Sequence, residues 1–218
     1  MECRLTVEGH GDRYGFKTVS LSCVGGTITV KPHKLLQDFW GKQTFQGVKL
    51  TNDSACQPRK GCLLSLGCGT NATFNRPIIT GYRPAPEDVT DLPLISVLCI
   101  GRGSSVTLRQ GTFSSSQLTP LAIYDNNTVV DLEQCIFKGI RATDAGAAMF
   151  VRDATVRVRS STFANNAAES EADGGAIAAR DGARVSIMAS KFYNNTGYWG
   201  GALHFDNQSQ LEILPGEA

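Results

Sequence analysis

Two Arg-Asp pairs, Arg152-Asp153 and Arg180-Asp181, each follow a short aliphatic stretch at the same distance. Four successive segments each contain such an aliphatic stretch, and we take the residue four positions after the last aliphatic residue of each stretch. These residues form what we call the turn column: Asn127, Asp153, Asp181 and Asn207. Carboxylate oxygens are the ligands that calcium prefers, and a basic residue beside them can take part in proton transfer. In this hypothesis Asp153 and Asp181 bind calcium, and Arg152 and Arg180 are catalytic.

A turn that favours Asn or Asp explains the same column without any catalysis. Asn127 and Asn207 occupy its two ends, and an asparagine suits a turn but lacks the charge of a calcium-binding carboxylate. The arginines would then neutralise two neighbouring like charges. We therefore predict a structural turn with no catalytic residue, no metal and no cofactor, and calcium is the alternative.

Aromatic residues follow the same aliphatic stretches one position later. This second column holds Tyr124, Phe150, Ala178 and His204, and the loop before the last segment adds Tyr198 and Trp199. Aromatic ring faces pack well on apolar faces of sugars and peptides. The pattern predicts that a glycan or protein ligand binds at five residues: Tyr124, Phe150, His204, Tyr198 and Trp199. The alternative is that a loop covers these rings.

Both columns depend on a repeat in the second half of the chain. Pairs of apolar residues, separated by one residue, recur every 24 to 29 residues at Val106/Leu108, Val130/Leu132, Val156/Val158, Val185/Ile187 and Leu211/Ile213. A phenylalanine lies seven residues after the first member of four pairs: Phe113, Phe137, Phe163 and Phe192. The unit contains strand-length segments with period-two alternation and turn residues between them. A repeat of strands and turns alone predicts an all-β parallel β-helix.

If these repeat units stack in register as coils of a β-helix, the charged residues that lie beside one another on adjacent coils can be predicted. Asp131 would lie beside Arg157, and Glu133 would lie between Arg109 and Arg159. The phenylalanines would fill the interior, and the asparagines after them would form a bend that hydrogen-bonds to the neighbouring coil. Paired glycines would allow a close backbone approach.

The motifs FANN (163–166) with GGAI (174–177), and FYNN (192–195) with GGAL (200–203), resemble the FxxN and GGA[ILV] repeats of polymorphic outer-membrane proteins. FKGI (137–140) with GAAM (146–149), and FSSS (113–116) with PLAI (120–123), match in part, so the resemblance covers residues 104–214. It implies a right-handed, pectin-lyase-like parallel β-helix and a role in surface display or adhesion. The same architecture occurs in lyases that cleave uronate polymers with calcium.

Residues 1–103 are less regular and rich in cysteine. They are predicted to form the opening coils, with a helix possible only at residues 34–40, while residues 104–218 form the regular repeats. The last unit stops without its phenylalanine, which favours a fragment of a longer protein. Six cysteines are enough for three disulfides, whose pairing stays open: Cys3, Cys23, Cys56, Cys62, Cys68 and Cys99. Cys135 takes a repeat position held elsewhere by glycine or serine, which predicts a buried free thiol.

The net charge of +1 provides no strong positive electrostatic field that would attract nucleic acid. No apolar run approaches the roughly 20 residues that a membrane-spanning helix needs. Five asparagines lie in glycosylation sequons: Asn52, Asn71, Asn126, Asn194 and Asn207. With the cysteines they favour an extracellular or cell-surface location, with a secretion signal outside this segment. The sequence predicts a non-enzymatic structural or adhesive protein, and the alternative is a calcium-dependent polysaccharide lyase.

Overall fold

The computed structural model describes residues 2–9, 16–23, 26–30, 62–66, 71–81, 96–143 and 145–216. Every regular element in these residues is a β-strand, and none of them forms a helix that is long and apolar enough to cross a membrane. The predicted helix at residues 34–40 lies outside the described residues. The strands are β1 (Glu2–Gly9), β2 (Phe16–Cys23), β3 (Gly26–Val30), β4 (Cys62–Leu66), β5 (Asn71–Asn75), β6 (Ile78–Thr80), β7 (Ser96–Ile100), β8 (Ser105–Arg109), β9 (Thr112–Ser114), β10 (Thr119–Tyr124), β11 (Val129–Glu133), β12 (Ile136–Lys138), β13 (Arg141–Ala142), β14 (Met149–Arg152), β15 (Thr155–Arg159), β16 (Thr162–Ala164), β17 (Ala167–Ala168), β18 (Ile177–Arg180), β19 (Arg184–Met188), β20 (Lys191–Tyr193), β21 (Leu203–Phe205) and β22 (Gln210–Leu214).

Successive coils stack through parallel ladders, which confirms the predicted parallel β-helix. Ladder 1 contains β5, β8, β11, β15, β19 and β22, and ladder 2 contains β6, β9, β12, β16 and β20. Ladder 3 contains β4, β7, β10, β14, β18 and β21, and the short strands β13 and β17 form a further pair. At the N-terminal end, β1 pairs in parallel with β5 and β6 and antiparallel with β2. Ladders 1 and 3 continue across residues 101–105, and the proposed division of the chain at residue 103 stays a prediction.

The interior is a column of apolar side chains in the predicted register. In ladder 1 the inward residues alternate with outward ones, and Val130 pairs with both Val106 and Val156. The four phenylalanine rings stack along the axis, with centroids 4.4, 4.6 and 4.7 Å apart and nearly parallel planes. Three of the rings are fully buried, because coils cover them on both sides. The fourth, Phe192, is half-buried on the last complete turn.

The asparagines after Phe163 and Phe192 form a hydrogen-bonded bend, as predicted. Asn165 and Asn194 have left-handed backbones with φ of 55° and 52°, a conformation that asparagine tolerates better than most residues. Asn166 is buried, and its side-chain nitrogen donates to the carbonyl oxygen of Phe137 one coil away, at 3.2 Å. Asn195 repeats this contact to Phe163 at 3.0 Å. The motif therefore couples each coil to the preceding one.

The GGA motif is explained by two different glycine requirements. Gly174 has φ of 67°, a left-handed conformation that a side chain would strain. A Cβ on Gly175 would overlap the carbonyl oxygen of Gly201 and the backbone of Thr196 in the next coil. The first glycine thus makes the turn, and the second allows adjacent coils to approach closely.

Two of the predicted ladder ion pairs form on the outer face of ladder 1. Arg109 Nε lies 2.9 Å from Glu133 Oε2, and Arg157 Nη1 lies 3.4 Å from Asp131 Oδ1. Both pairs are partly exposed to solvent, so each contributes at most about 1 kcal/mol to stability. Their main consequence is for register, because a two-residue shift of β11 would leave Asp131 or Glu133 no longer level with an arginine.

Cys135 is a buried free thiol, as predicted from its small-residue position. Its Sγ lies 3.3 Å from the carbonyl oxygen of Leu108, and its backbone N–H donates to Ser161 Oγ. Burial away from water raises the pKa of the Cys135 thiol from 9.0 to about 11, because the thiolate would lose its hydration. Cys99 is disulfide-bonded. The backbones of Cys3 and Cys23 pair across β1 and β2, and the full cysteine pairing stays a prediction.

We expect Cys135 to resist alkylation in the folded protein. At pH 8 a thiol with a pKa near 11 has roughly 100-fold less thiolate than one with a pKa near 9, and the thiolate is the reactive form. Iodoacetamide labelling, mapped to the Cys135 peptide by mass spectrometry, should be slow in buffer and fast in guanidinium. Since the folded pKa is the higher one, stability should fall as the pH rises from about 9 through 11. Rapid labelling of folded protein would contradict the buried position.

Candidate functional site

The register of ladder 3 differs from the predicted one in one coil. Leu121, rather than Ile123, pairs with Met149, so the residue level with Asp153 is Asp125 and not Asn127. The turn column therefore consists of Asp125, Asp153, Asp181 and Asn207. Apolar residues alternate along β10, and a shift of two residues keeps every side chain on its own face. The sequence pattern alone is compatible with both registers.

The same shift corrects the aromatic column. Ala122, not Tyr124, pairs with Phe150, and His204 pairs with Ala178. The Tyr124 ring still contacts Phe150 diagonally, with centroids 5.8 Å apart. Tyr124 is only 6% exposed although it lies on the outer side of the strand, and Phe150 is half-buried. Burial of Tyr124 agrees with the alternative that these rings are covered, so its ring face is not presented to a ligand.

The turn column has the backbone geometry of a structural turn. Asp125, Asp153 and Asp181 have φ of 71°, 51° and 56°, and Asn207 at the end of the column has φ of 49°. All four values are left-handed, the conformation for which aspartate and asparagine are selected over other non-glycine residues. The turn hypothesis therefore accounts for the residue types in this column.

The carboxylates of the turn column hydrogen-bond to neighbouring side chains and backbone groups. Asp181 accepts from Arg152 Nε at 2.6 Å through one oxygen and from Asn207 Nδ2 at 3.1 Å through the other. Asp125 Oδ2 accepts the backbone N–H of Arg102. Within the ranges that the structure describes, no three His, Cys, Asp or Glu side chains converge as a metal ion requires. We therefore derive no reaction step through calcium.

Tyr198 and Trp199, which we call the aromatic pair, are exposed on the loop between β20 and β21. Each side chain is 62% exposed, and the two rings meet edge to face with centroids 5.4 Å apart. The loop backbone is fixed to the coil below, because Tyr198 N donates to Ala172 O and Gly174 N donates to Trp199 O, both at 2.9 Å. Rings on a fixed backbone lose little conformational entropy when a ligand binds.

Asp173 connects the aromatic pair to ladder 3, and the sequence reasoning missed it. Its Oδ1 accepts the backbone N–H of Trp199 at 3.3 Å, and its Oδ2 accepts from Arg180 Nη2 at 2.8 Å. His204 Nε2 lies 3.7 Å from the same Oδ2. Asp173 is 13% exposed at its side chain, so these contacts fix its position. The available signal was its place before GGAI, which corresponds to Trp199 before GGAL.

These residues form a candidate binding site. Asp173 supplies an acceptor, Arg180 and His204 supply donors, and the aromatic pair supplies apolar ring faces. Arg180 Nε is buried without a hydrogen-bond partner among the described atoms, so this cluster has an unused donor. No hydroxyl or thiol in the described residues hydrogen-bonds to His204, as a nucleophile–base pair would. The cluster can hold a polar ligand that has one apolar face.

Comparison with known proteins supports the architecture. The family model described as "Right handed beta helix region" matches residues 96–214, which is more than half of the chain. No curated protein and no solved structure matches the chain. The matched region contains strands β7 to β22, the phenylalanine stack and the aromatic pair. The chain belongs to the right-handed β-helix family.

Proposed function

We propose that this chain is a non-enzymatic β-helix that binds a neutral glycan at the aromatic pair. The observation that carries this proposal is the exposure of Tyr198 and Trp199 on a loop fixed by backbone hydrogen bonds. The indole ring can pack on the apolar face of a sugar, while Asp173 and the neighbouring donors bind hydroxyl groups. A contiguous exposed apolar patch with a polar rim is typical of a binding surface, and the two rings lie side by side next to Asp173.

The surroundings favour a glycan over a protein ligand. A stable protein interface buries roughly 800 Å² per partner and has an apolar centre. Here the loop around the aromatic pair is glycine-rich, with Gly197, Gly200 and Gly201, and the backbone N–H of Trp199 donates to the carboxylate of Asp173. The apolar surface is thus two rings wide, which suits one or two sugar residues.

The local charge favours a neutral ligand. Asp173 pairs with Arg180 and Asp181 pairs with Arg152, while Asp153 and Asp206 on the same coils form no ion pair with a described residue. Since both arginines already pair with carboxylates, a polyuronate would meet net repulsion here.

The first prediction is that Trp199→Ala abolishes most glycan affinity. We expect isothermal titration calorimetry with chitohexaose, cellohexaose and xylohexaose to detect binding of at least one of them by the unmodified chain. Loss of a central stacking tryptophan costs about 2 kcal/mol, which is roughly 30-fold in Kd. Asp173→Asn should weaken the same binding less, because the amide retains one acceptor oxygen.

Tyr193→Ala is the matched control for this measurement. Tyr193 is also an exposed aromatic, at 50%, but it lies on ladder 2. Its removal should leave Kd unchanged. Failure of all three oligosaccharides to bind, or equal losses in the Trp199 and Tyr193 variants, would contradict the proposed site.

The competing function is calcium-dependent cleavage of uronate polymers. The corrected register favours it in one respect, because three aspartates rather than two now stack in the turn column. The pairing of Asp181 with Arg152 and Asn207 opposes it. Polygalacturonate should stay intact with calcium or with chelator, as followed by ultraviolet absorbance of an unsaturated product. Calcium-dependent product that disappears in Asp153→Ala and Asp181→Ala would replace our proposal with a lyase.

We further propose surface or extracellular location, in keeping with the resemblance to polymorphic outer-membrane repeats. All four sequon asparagines in the described residues are exposed, and Asn52 lies outside those residues. Asn71 begins β5, while Asn126 and Asn207 lie in the turns before β11 and β22, so these three follow one edge of the solenoid. Asn194 lies on a different edge, after β20.

When the chain is secreted from a eukaryotic host behind an added signal peptide, we expect glycans at these exposed sequons. Treatment with a peptide N-glycosidase in heavy-oxygen water converts each occupied asparagine to a mass-labelled aspartate. Thr128→Ala, which removes the Asn126 sequon, should eliminate that one label and leave the others. Secreted, folded protein without any label would contradict the glycosylation proposal.

A further inference from the structure

The outer surface of ladders 1 and 2 carries a cluster of cations on two adjacent coils. These coils contribute β15 and β16, and β19 and β20. All the charged side chains on the outward positions of these four strands are basic, and they define what we call the basic face: Arg157, Arg159, Arg184 and Lys191. Each of the four residues is exposed.

The ladder register places these cations as neighbours. Thr155 pairs with Arg184 and Arg157 pairs with Ser186, so Arg184 is the diagonal neighbour of Arg157, a separation of about 7–8 Å between backbones. Lys191 pairs with Thr162. Thr162 begins β16, directly after the tight turn that follows Arg159 at the end of β15. The cations therefore cross the sheet as a band over two coils.

Neighbouring carboxylates neutralise only one member of the basic face. Asp131 pairs with Arg157 at 3.4 Å. Glu133 is level with Arg159 but pairs with Arg109 on its other side, at 2.9 Å. No carboxylate in the described residues forms an ion pair with Arg159, Arg184 or Lys191, and Glu212 lies beside Ser186 on the next coil. Three cations thus have no ion-pair partner among the described residues, and the carboxylates of Glu133 and Glu212 lie beside them.

We propose that the basic face binds an anionic polysaccharide, such as a sulfated or uronate chain. Guanidinium groups bind sulfate and carboxylate groups through paired hydrogen bonds, and a flat sheet can contact an extended chain along its length. Duplex DNA is the poorer fit, because tight nucleic-acid binding neutralises about 6–10 phosphates and the basic face has four cations. This site is separate from the aromatic pair, which lies among carboxylates at the edge of ladder 3.

The test uses the full chain with heparin as the sulfated probe, polygalacturonate as the carboxylated probe and a DNA duplex as the competing polyanion. Binding to heparin should weaken with salt, with a slope of log K against log salt of about −2, since each of the three unpaired cations contributes roughly 0.7. The triple variant Arg159→Ala, Arg184→Ala, Lys191→Ala should bind roughly 100-fold more weakly and have a slope near zero.

A charge-matched control separates this surface from net charge. Arg76→Ala, Arg102→Ala, Arg141→Ala removes three exposed arginines outside the basic face and should lose less than about threefold in affinity. Any of three results would overturn the proposal. These are equal losses of heparin affinity in both triple variants, no binding to either polysaccharide at low salt, and tighter binding to DNA than to the polysaccharides. Thermal unfolding should confirm that both variants fold. Trp199→Ala should retain heparin binding, so failure of the neutral-glycan proposal would leave this one standing.

Discussion

Phe163→Ala is expected to destabilise the solenoid by about 3–5 kcal/mol, the usual cost of removing a fully buried phenylalanine from a core. The Phe163 ring lies between Phe137 and Phe192, with centroids 4.6 and 4.7 Å away, so its loss interrupts the stack on both sides. Neighbouring coils cannot close the cavity, because their spacing is set by the hydrogen-bonded ladders. For a chain of this size the melting temperature should fall by roughly 6–20 °C, measured by circular dichroism.

Phe192→Ala gives the matched comparison, since it removes the same side chain from the same repeat position one coil further on. Phe192 is half-buried, so the variant should lose about half as much stability. Coils of a solenoid can also unfold in part, and fluorescence and circular dichroism should be compared for coincidence. Equal losses in the two variants would mean that ring burial does not govern the stability of the stack.

The phenylalanine stack was predictable because its spacing is invariant. An apolar pair followed by phenylalanine at a constant offset permits one register of ladders 1 and 2, and the charged neighbours Arg109 and Glu133 agree with it. Ladder 3 offers no such fixed offset. The loops before it vary in length, and Leu121 and Ile123 lie on the same face of β10, so a two-residue shift remained possible. That shift moved Asp125 into the turn column.

The candidate site was predictable only in part, for a related reason. Trp199 and Tyr198 were identified by residue type, because large rings in a glycine-rich loop are exposed unless something covers them. The role of Asp173 depends on which residues stack above its loop, and Trp199 and Arg180 come from different elements. Burial of Tyr124 likewise depends on contacts across the outer surface of ladder 3 rather than on its own strand. Neither the contacts of Asp173 nor the burial of Tyr124 can therefore be predicted from the residues next to them in the sequence.

Asn166→Ala is expected to cost about 2–4 kcal/mol, although it removes only a small polar group. Asn166 Oδ1 accepts from the backbone N–H of Ile140 at 3.2 Å, and Nδ2 donates to the carbonyl oxygen of Phe137. In the alanine variant the Ile140 N–H stays buried without this acceptor, which costs roughly 1–3 kcal/mol, and the Phe137 carbonyl loses its side-chain hydrogen bond, which costs about 1 kcal/mol more. Urea unfolding followed by circular dichroism measures the loss, and exposed Asn126→Ala should change stability by less than about 0.5 kcal/mol.

Asn166→Asp distinguishes hydrogen bonding from packing at this position, because aspartate has the same shape but cannot donate when ionised. A buried carboxylate that faces the carbonyl oxygen of Phe137 should have a raised pKa, since burial and the nearby acceptor both disfavour its charge. Folding then favours the protonated form, so the stability deficit should be smallest below about pH 4 and should grow as the pH rises above it. A deficit that is independent of pH would mean that the asparagine acts through its shape alone. A pH-dependent deficit would assign the FxxN motif to the coupling of successive coils.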